Sequence, residues 1–346
     1  MSIAILFGGS SYEHEISIVS AITMQKVFKK TPLVNIFVSS NREFYLIEPR
    51  DMKSSTFSSG AYKKMQKLEI KKGGFFVSKM FGAKAVEFNT LLNLIHGRDG
   101  EDGKIASLME FFSISYISSR LEACAMSFNK LYTKFYAQSI GVKSLDYQLL
   151  NNESMREVLL PFPLIVKPCR LGSSIGVSIV KDKSELDYAL DVAFEFDSDV
   201  LLEPFIANIK EYNLAGCYTD KWELSIVEEP KKDEFLDFDK KYLDFSRDGK
   251  AVAANISQEI QNSIVESFKA IYGELFQGSI IRCDFFEVNG EIYLNEINPI
   301  PGSMANYLFE DFENMVLRLA SALRFEKKIE SKYAYINSIQ SAKGKA

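Results

Sequence analysis

Gly278–Gly302, GSIIRCDFFEVNGEIYLNEINPIPG, places two carboxylates and an arginine inside what reads as a buried β-hairpin. Ile280, Ile281, Phe285, Phe286 and Val288, then Ile292, Tyr293 and Leu294, mark two strands, and Asn289-Gly290 between them is a hairpin signal. Loop length decides the chemistry. A two-residue loop sets Val288 against Glu291, and the alternation of strand side chains then sends Asp284 and Glu296 to opposite faces. A three-residue loop, Val288-Asn289-Gly290 with Gly290 left-handed in a G1 bulge, instead gathers Arg282, Asp284 and Phe286 on one face with Leu294, Glu296 and Asn298. The second register is the expected one. On that face Asp284, Glu296 and Asn298 offer only oxygen donors, the hard set that Mg²⁺ takes when it also holds substrate phosphates. A structural ion pair of Arg282 with either acid is the competing reading.

The chain has 346 residues, 47% of them apolar, enough for a large core spread over two or three domains. Its net charge of −5, with acids and bases interspersed, argues against nucleic acid or an anionic membrane as the main partner. No stretch reads as a membrane span, and MSIAILFGG lacks the features of a signal peptide, so the expected location is cytoplasmic. Cys124, Cys169, Cys217 and Cys283 are dispersed and only two histidines exist, which supports neither a disulfide framework nor a zinc site.

Ile3–Phe7 is an apolar run ending at Gly8-Gly9-Ser10-Ser11, after which Ile16, Val19, Thr23 and Val27 recur at helical spacing. A strand, glycine turn and helix in that order suggest a doubly wound α/β unit with its ligand at the strand's carboxyl end. Residues 50–89 are polar and weakly periodic and read as an embellishment, with a hairpin at Gly73-Gly74. Leu91–Ile95 leads into His96 and a glycine-rich loop, which suits a ligand mouth. Asn129 caps a helix carrying Leu131, Tyr132, Phe135 and Tyr136. In FPLIVKPCRLGSSIGVSIV, Gly172, Ser173, Ser174 and Gly176 free the backbone to wrap phosphate, while Lys167 supplies a point charge. Asp233–Gly249 is dense in charge with Asp-Phe alternation and reads as a mobile loop; residues 256–276 read as an amphipathic helix.

Glu-x-Asn-Pro-x-Pro-Gly after a strand, with Arg-x-Asp on the strand before it, resembles the metal-binding hairpin of the ATP-grasp ligases, specifically the D-alanine:D-alanine ligases. FGGSSYEHEIS, SFNKLYTK, the Gly-Ser loop and DFDKKYLDF resemble further motifs of that family, in order, from Ile3 to about Leu323. The resemblance implies an ATP-grasp fold of three α/β domains, the first doubly wound: 1–118 for substrate, 119–202 as the central ATP-grasp subdomain, and 203–346 with the metal site and mobile loop. It implies that Glu13 contacts the first D-alanine and its hydrogen-bond network, and that His96 lies near the acceptor D-alanine with Ser303, Tyr307 and Leu308. Lys130, Lys167, Ser174 and Lys241 would hold nucleotide phosphate, Glu203 and Ile206 the adenine, and Glu211 the ribose, with Phe286 also at the nucleotide. Tyr242 would bond toward Ser173 and Glu13, Arg282 and the Gly302 N–H would stabilise an oxyanion, and Asp284, Glu296 and Asn298 would bind two Mg²⁺ or Mn²⁺ ions.

The implied reaction is ATP-dependent joining of two D-alanines through an acyl phosphate, by a homodimer, for peptidoglycan. Leu171 stands where the family usually has glutamate, Pro204 where lysine is common, and Tyr307 where serine is usual, so the nucleotide and acceptor contacts differ there. Two alternatives stay open: D-alanyl-D-lactate or D-alanyl-D-serine synthesis on the same scaffold, and a nucleotide-binding regulatory protein without catalysis.

Overall fold

The computed structural model describes residues 1–153, 155–230, 251–323 and 329–342. Three sheets carry them. The first is built from β1 (Ile3–Gly8), β2 (Leu33–Val38), β3 (Phe44–Ile47), β4 (Gln66–Lys71), β5 (Gly74–Ser78), β6 (Ala83–Ala85), β7 (Thr90–Asn93) and β8 (Tyr116–Ile117), in the order β6-β5-β4-β3-β2-β1-β7-β8. Its centre is parallel, with β1 between β2 and β7. Such strands are covered on both faces, which is why Ile3–Phe7 is apolar without alternation and fully buried. The embellishment at 50–89 contributes β4 to β6, an antiparallel wing; its expected hairpin is the β4–β5 turn, with Lys71 paired to Gly74.

The second sheet comprises β9 (Gln148–Asn151), β10 (Leu164–Pro168), β11 (Ser178–Val180) and β12 (Asp199–Pro204), ordered β11-β10-β12-β9. In the third, β13 (Lys210–Tyr218), β14 (Trp222–Leu224), β15 (Ile281–Val288) and β16 (Glu291–Asn298) follow the order β14-β13-β15-β16. The Gln258–Tyr272 helix, capped by Ser257, buries Ile264, Phe268, Ile271 and Tyr272 and runs into β15. All four cysteines are buried and unpaired, as thiols used for packing would be.

The hairpin at 281–298 reaches the expected result by a different route. Val288 pairs with Glu291, so the loop is the two-residue one, with Asn289 and Gly290 both left-handed as a type I′ turn requires. Asp284 nevertheless faces Glu296, because the register shifts beside Asp284/Phe285, where Asn295 is the extra residue of a bulge in β16. The bulge does what the longer loop was expected to do. It also sends Leu294 opposite Phe285 into the core, away from the face of Asp284 on which it was expected, and brings Tyr293 opposite Phe286.

Two helices differ from expectation in the face they bury. Along His14–Val27 the buried residues are Ile16, Ser17, Ile18, Ser20, Ala21 and Met24, and Val19 is largely exposed. The Lys130–Ser139 helix, whose N-cap Asn129 accepts from the Leu131 N–H at 3.0 Å, buries Thr133, Lys134 and Ala137 and leaves Tyr132 and Phe135 half exposed.

A Cβ on Gly290 would meet no atom within 4 Å, so Gly290→Ala isolates the backbone cost of its φ of +80°. The expected loss is about 1 kcal/mol in urea unfolding, with the pairing of Asp284 and Glu296 untouched because the bulge lies elsewhere.

Candidate active site

The turn after β1 delivers Glu13 to the start of the His14–Val27 helix, buried to 6% exposure. Its N–H donates to Ser11 Oγ at 3.1 Å, and that hydroxyl donates to the His96 carbonyl at 2.8 Å. Ser173, from the loop between β10 and β11, donates its hydroxyl to Glu13 Oε1, tying the second sheet's loop to the first. Oε2 is buried with no hydrogen-bond partner. Gly97, at φ +68°, leaves it room: a Cβ there would stand 2.5 Å from Oε2. Burial, with Glu101 nearby, pushes the Glu13 carboxyl up to about 7 against the pull of Ser173, His96 and Lys130.

His96 follows β7 and is buried between two bonds. The Ile300 carbonyl, 2.9 Å from Nδ1, can only accept, so Nδ1 carries the proton. In the neutral ring Nε2 then accepts from Ser20 Oγ at 2.9 Å, and Ser20 Oγ accepts the Ser303 N–H at 3.0 Å. One hydroxyl thus joins the first helix, the His96 loop and the turn after β16. In that turn Ser303, Met304 and Ala305 are all left-handed, a conformation that costs L-residues about 1–2 kcal/mol each. The Met304 N–H on Pro301 O at 2.7 Å and the Asn306 amide on Ser303 O at 2.9 Å hold it. Sequence reasoning missed Ser20 because the periodic set Ile16, Val19, Thr23 and Val27 pointed to another helix face.

The β10–β11 loop is left-handed at Ser173, Ser174 and Gly176. Gly172, expected to supply that freedom, has ordinary backbone and instead clears space, since its Cβ would lie 3.1 Å from Glu13 Oε1. Lys130 donates Nζ to the Leu171 carbonyl at 2.5 Å, so the residue standing in place of the family's glutamate takes part through its backbone. Burial lowers the Lys130 pKa while Glu296 and Glu13 pull it back up, which sets its ammonium between the first-sheet acid and the hairpin face.

Behind it Lys167 and Lys134 both bind the Glu203 carboxylate, all three almost fully buried. Burial works to raise the Glu203 pKa, yet the two ammonium groups outweigh it and hold the carboxylate ionised. Lys134 was not anticipated, although its spacing of four from Lys130 puts both on one helix face. Glu211 on β13 pairs with Phe286 on β15, and Ile206 follows β12 by two residues.

On the hairpin face Arg282 forks onto Asp284 at 2.7 and 2.8 Å, and Asn298 Nδ2 donates to Asp284 Oδ2 at 3.1 Å. The ion pair considered from the sequence therefore exists beside the opposed acids. Burial raises the Asp284 pKa, Arg282 opposes this, and the facing Glu296 raises it further. Burial pushes the Tyr307 phenol up to about 12 against the pull of the nearby Arg282 guanidinium. The hard-oxygen set of Asp284, Glu296 and Asn298 fits a divalent cation by its chemistry, since two facing carboxylates hold more negative charge than one arginine offsets. Among the described residues no group of three His, Cys, Asp or Glu side chains converges at ligating distance, so the amide of Asn298 and non-protein oxygens would complete the shell. Lys241 and Tyr242 lie outside the described residues, as does the whole loop expected at Asp233–Gly249.

Glu13 generates a pH signature. The folded chain keeps a proton there that the unfolded chain has released, between the ordinary 4.5 and about 7, so stability falls as pH rises through that window. Glu13→Gln should abolish that part of the fall. Thermal unfolding of the ligand-free protein on both sides of the window is the check: wild type and variant should converge below it and the variant should melt higher above it.

The comparisons place this geometry in a family. Residues 2–119 match the model of the D-ala D-ala ligase N-terminus and residues 137–315 that of the D-ala D-ala ligase C-terminus. The D-alanine–D-alanine ligase of Sulfurovum sp. (strain NBC37-1) is 67% identical and that of Campylobacter lari 56%, each over the full length of both chains. The crystal structure of D-alanine-D-alanine ligase from Helicobacter pylori is 46% identical with a TM-score of 0.85, covering 94% of this chain and 100% of its own. The VanG D-Ala:D-Ser ligase from Enterococcus faecalis is 25% identical with a TM-score of 0.76, covering 93% and 98%. With both halves matched and relatives this similar along the whole chain, the protein belongs to the D-alanine–D-alanine ligase family and has its ATP-grasp fold.

Proposed function

We infer that this protein joins two D-alanines into D-alanyl-D-alanine at the expense of ATP, releasing ADP and phosphate, for the cell wall. The observation that carries the reading is the buried Glu13 oxygen with no hydrogen-bond partner, on a carboxylate that Ser173 binds and beside the His96 loop that Ser20 ties to the turn at Ser303. A substrate ammonium supplies the donors which that oxygen lacks, and Glu13 would orient the first D-alanine through it.

The carboxylate of the first D-alanine attacks the γ-phosphate of ATP, giving an acyl phosphate and ADP. Lys130 and Lys167 meet the phosphates as point charges, with Ser174 on the loop above; Glu203, Ile206 and Phe286 flank the base and Glu211 the ribose. The amine of the second D-alanine then attacks the acyl carbon, and the tetrahedral intermediate expels phosphate. Arg282 and the Gly302 N–H stabilise its oxyanion. Asp284, Glu296 and Asn298 would hold Mg²⁺ or Mn²⁺, as two ions, drawing charge off the phosphates when bound. His96, Ser303 and Leu308 bound the acceptor. Tyr307 lies near Arg282, and its O–H would donate to the acceptor carboxylate. For Lys241 and Tyr242 the family resemblance alone supports roles on phosphate and toward Ser173 and Glu13. The reading includes a homodimer in the cytoplasm, supported by the family resemblance; among the described residues no helix is long and apolar enough to cross a membrane.

Phosphate release from ATP, measured with D-alanine, D-serine and D-lactate as acceptors, tests the assignment: turnover should require D-alanine, and equal or greater turnover with another acceptor would replace the product. Asp284→Asn and Glu296→Gln should each cut that turnover by orders of magnitude, while unfolding free energy changes by no more than about 1–2 kcal/mol. A variant that fails to fold at all would favour a purely structural ion pair.

Tyr307→Phe removes one charge-assisted hydrogen bond and keeps the ring. The acceptor KM should rise roughly ten- to hundredfold, equivalent to about 1.5–3 kcal/mol, with ATP affinity unchanged. A KM within about twofold of wild type would return carboxylate binding to backbone groups near Gly302 and Ser303.

A further inference from the structure

We propose that the outer edge of the first sheet is a docking surface for an anionic lipid bilayer, entered by the β5–β6 turn. Lys79 N–H closes that turn on the Gly82 carbonyl at 3.0 Å, and Ser78 pairs with Ala83, so Met80 and Phe81 stand at its two central positions. Each side chain is 91% exposed. Neither has a left-handed backbone, so the turn itself accepts most residues, and nothing in the packing of the wing asks for a thioether and a phenyl ring there.

The surroundings of the turn are basic. Residues 61–84 contain seven lysines against Glu69 alone, in a chain whose net charge is −5. The negative balance therefore lies entirely elsewhere, and the mixed charge read from the whole sequence hides a segregated one. Five of the lysines gather at one end of the wing. Leu68 pairs with Val77 in antiparallel register, so the turn at 79–82 lies where β4 begins, beside Lys63, Lys64 and Lys67, and Lys84 follows it directly. Lys67 is paired with Glu43, whereas Lys63, Lys64, Lys79 and Lys84 are exposed and make no ion pair among the described residues.

Lysines on an edge strand also discourage strand pairing, which accounts for Lys84 on β6. That role does not account for two large apolar side chains beside them, which would favour the association that the lysines prevent. An apolar wedge ringed by ammonium groups is the composition that sits at a lipid headgroup boundary: the apolar tips enter the acyl region and the lysines meet anionic phosphates. A polynucleotide would satisfy the lysines and leave Met80 and Phe81 in water, and so is the poorer match. The wing is five strand spacings from β1, roughly 24 Å along the sheet, so a docked protein keeps the Glu13 side open to solution.

The test uses the full-length protein and vesicles of phosphatidylglycerol and phosphatidylcholine in equal parts, with phosphatidylcholine alone as the control. Co-sedimentation at low salt should be at least tenfold stronger on the mixed vesicles and should weaken at about 0.5 M salt, where charges are screened beyond a few ångströms. The double variant Met80→Ser with Phe81→Ser, and separately Lys79→Glu with Lys84→Glu, should each lower the partition about tenfold, with ATP turnover on D-alanine in solution unchanged. That last readout separates this proposal from the catalytic reading. Absence of vesicle binding by wild type overturns it. So does binding that survives loss of Met80 and Phe81 and is matched by DNA, which would mark a general polyanion surface, or a change of oligomeric state in the variants, which would assign the edge to a second copy.

Discussion

Two carboxylates facing each other across a hairpin repel, and the surroundings of Asp284 and Glu296 follow from that single constraint. Arg282 lies on the same strand face because residues two apart in a strand always do, and it is therefore the nearest charge available to hold Asp284. Burial opposes ionisation of Asp284, and Lys130, from the helix that Asn129 caps, exerts its attraction on Glu296. The same ammonium is felt by Glu13 at the far side. Acidic groups from the first turn and the hairpin thus share a lysine carried by the Lys130–Ser139 helix, so charge alternates across the site.

Much of this was legible. The apolar strands, the glycine turn, the Gly-Ser loop and the acids on one hairpin face all follow from residue type and spacing. The reason given for the last was wrong, and the correct signal was present: the aliphatic residues of β16 are Ile292, Leu294 and then Ile297, a step of two followed by a step of three. That skipped beat is the bulge at Asn295, and it left Asn289-Gly290 free to be the short turn its composition prefers.

What stayed hidden was polar and buried. A periodicity search counts apolar residues, so it turned the first helix toward Val19 and Thr23, whereas the interior takes Ser17 and Ser20 for their hydroxyls. Ser17 accepts from Gly8 N at 2.8 Å and donates to Leu94 O at 2.6 Å, pinning the ends of β1 and β7, and Ser20 does the equivalent for His96 and Ser303. The worth of such groups depends on partners far along the chain, which no local window contains. Lys134 escaped for the same reason, since its partner Glu203 is on another element.

The arrangement of Lys134, Glu203 and Lys167 constrains how the sequence can change over generations. One carboxylate serves two ammonium groups, so its loss strands both in a dry interior, whereas losing either lysine leaves a neutral pair behind. The three positions are therefore epistatic, and the order of substitution matters. Either lysine can go first, and Glu203 only together with the other, whereas losing Glu203 first passes through a chain that carries two unpaired buried charges.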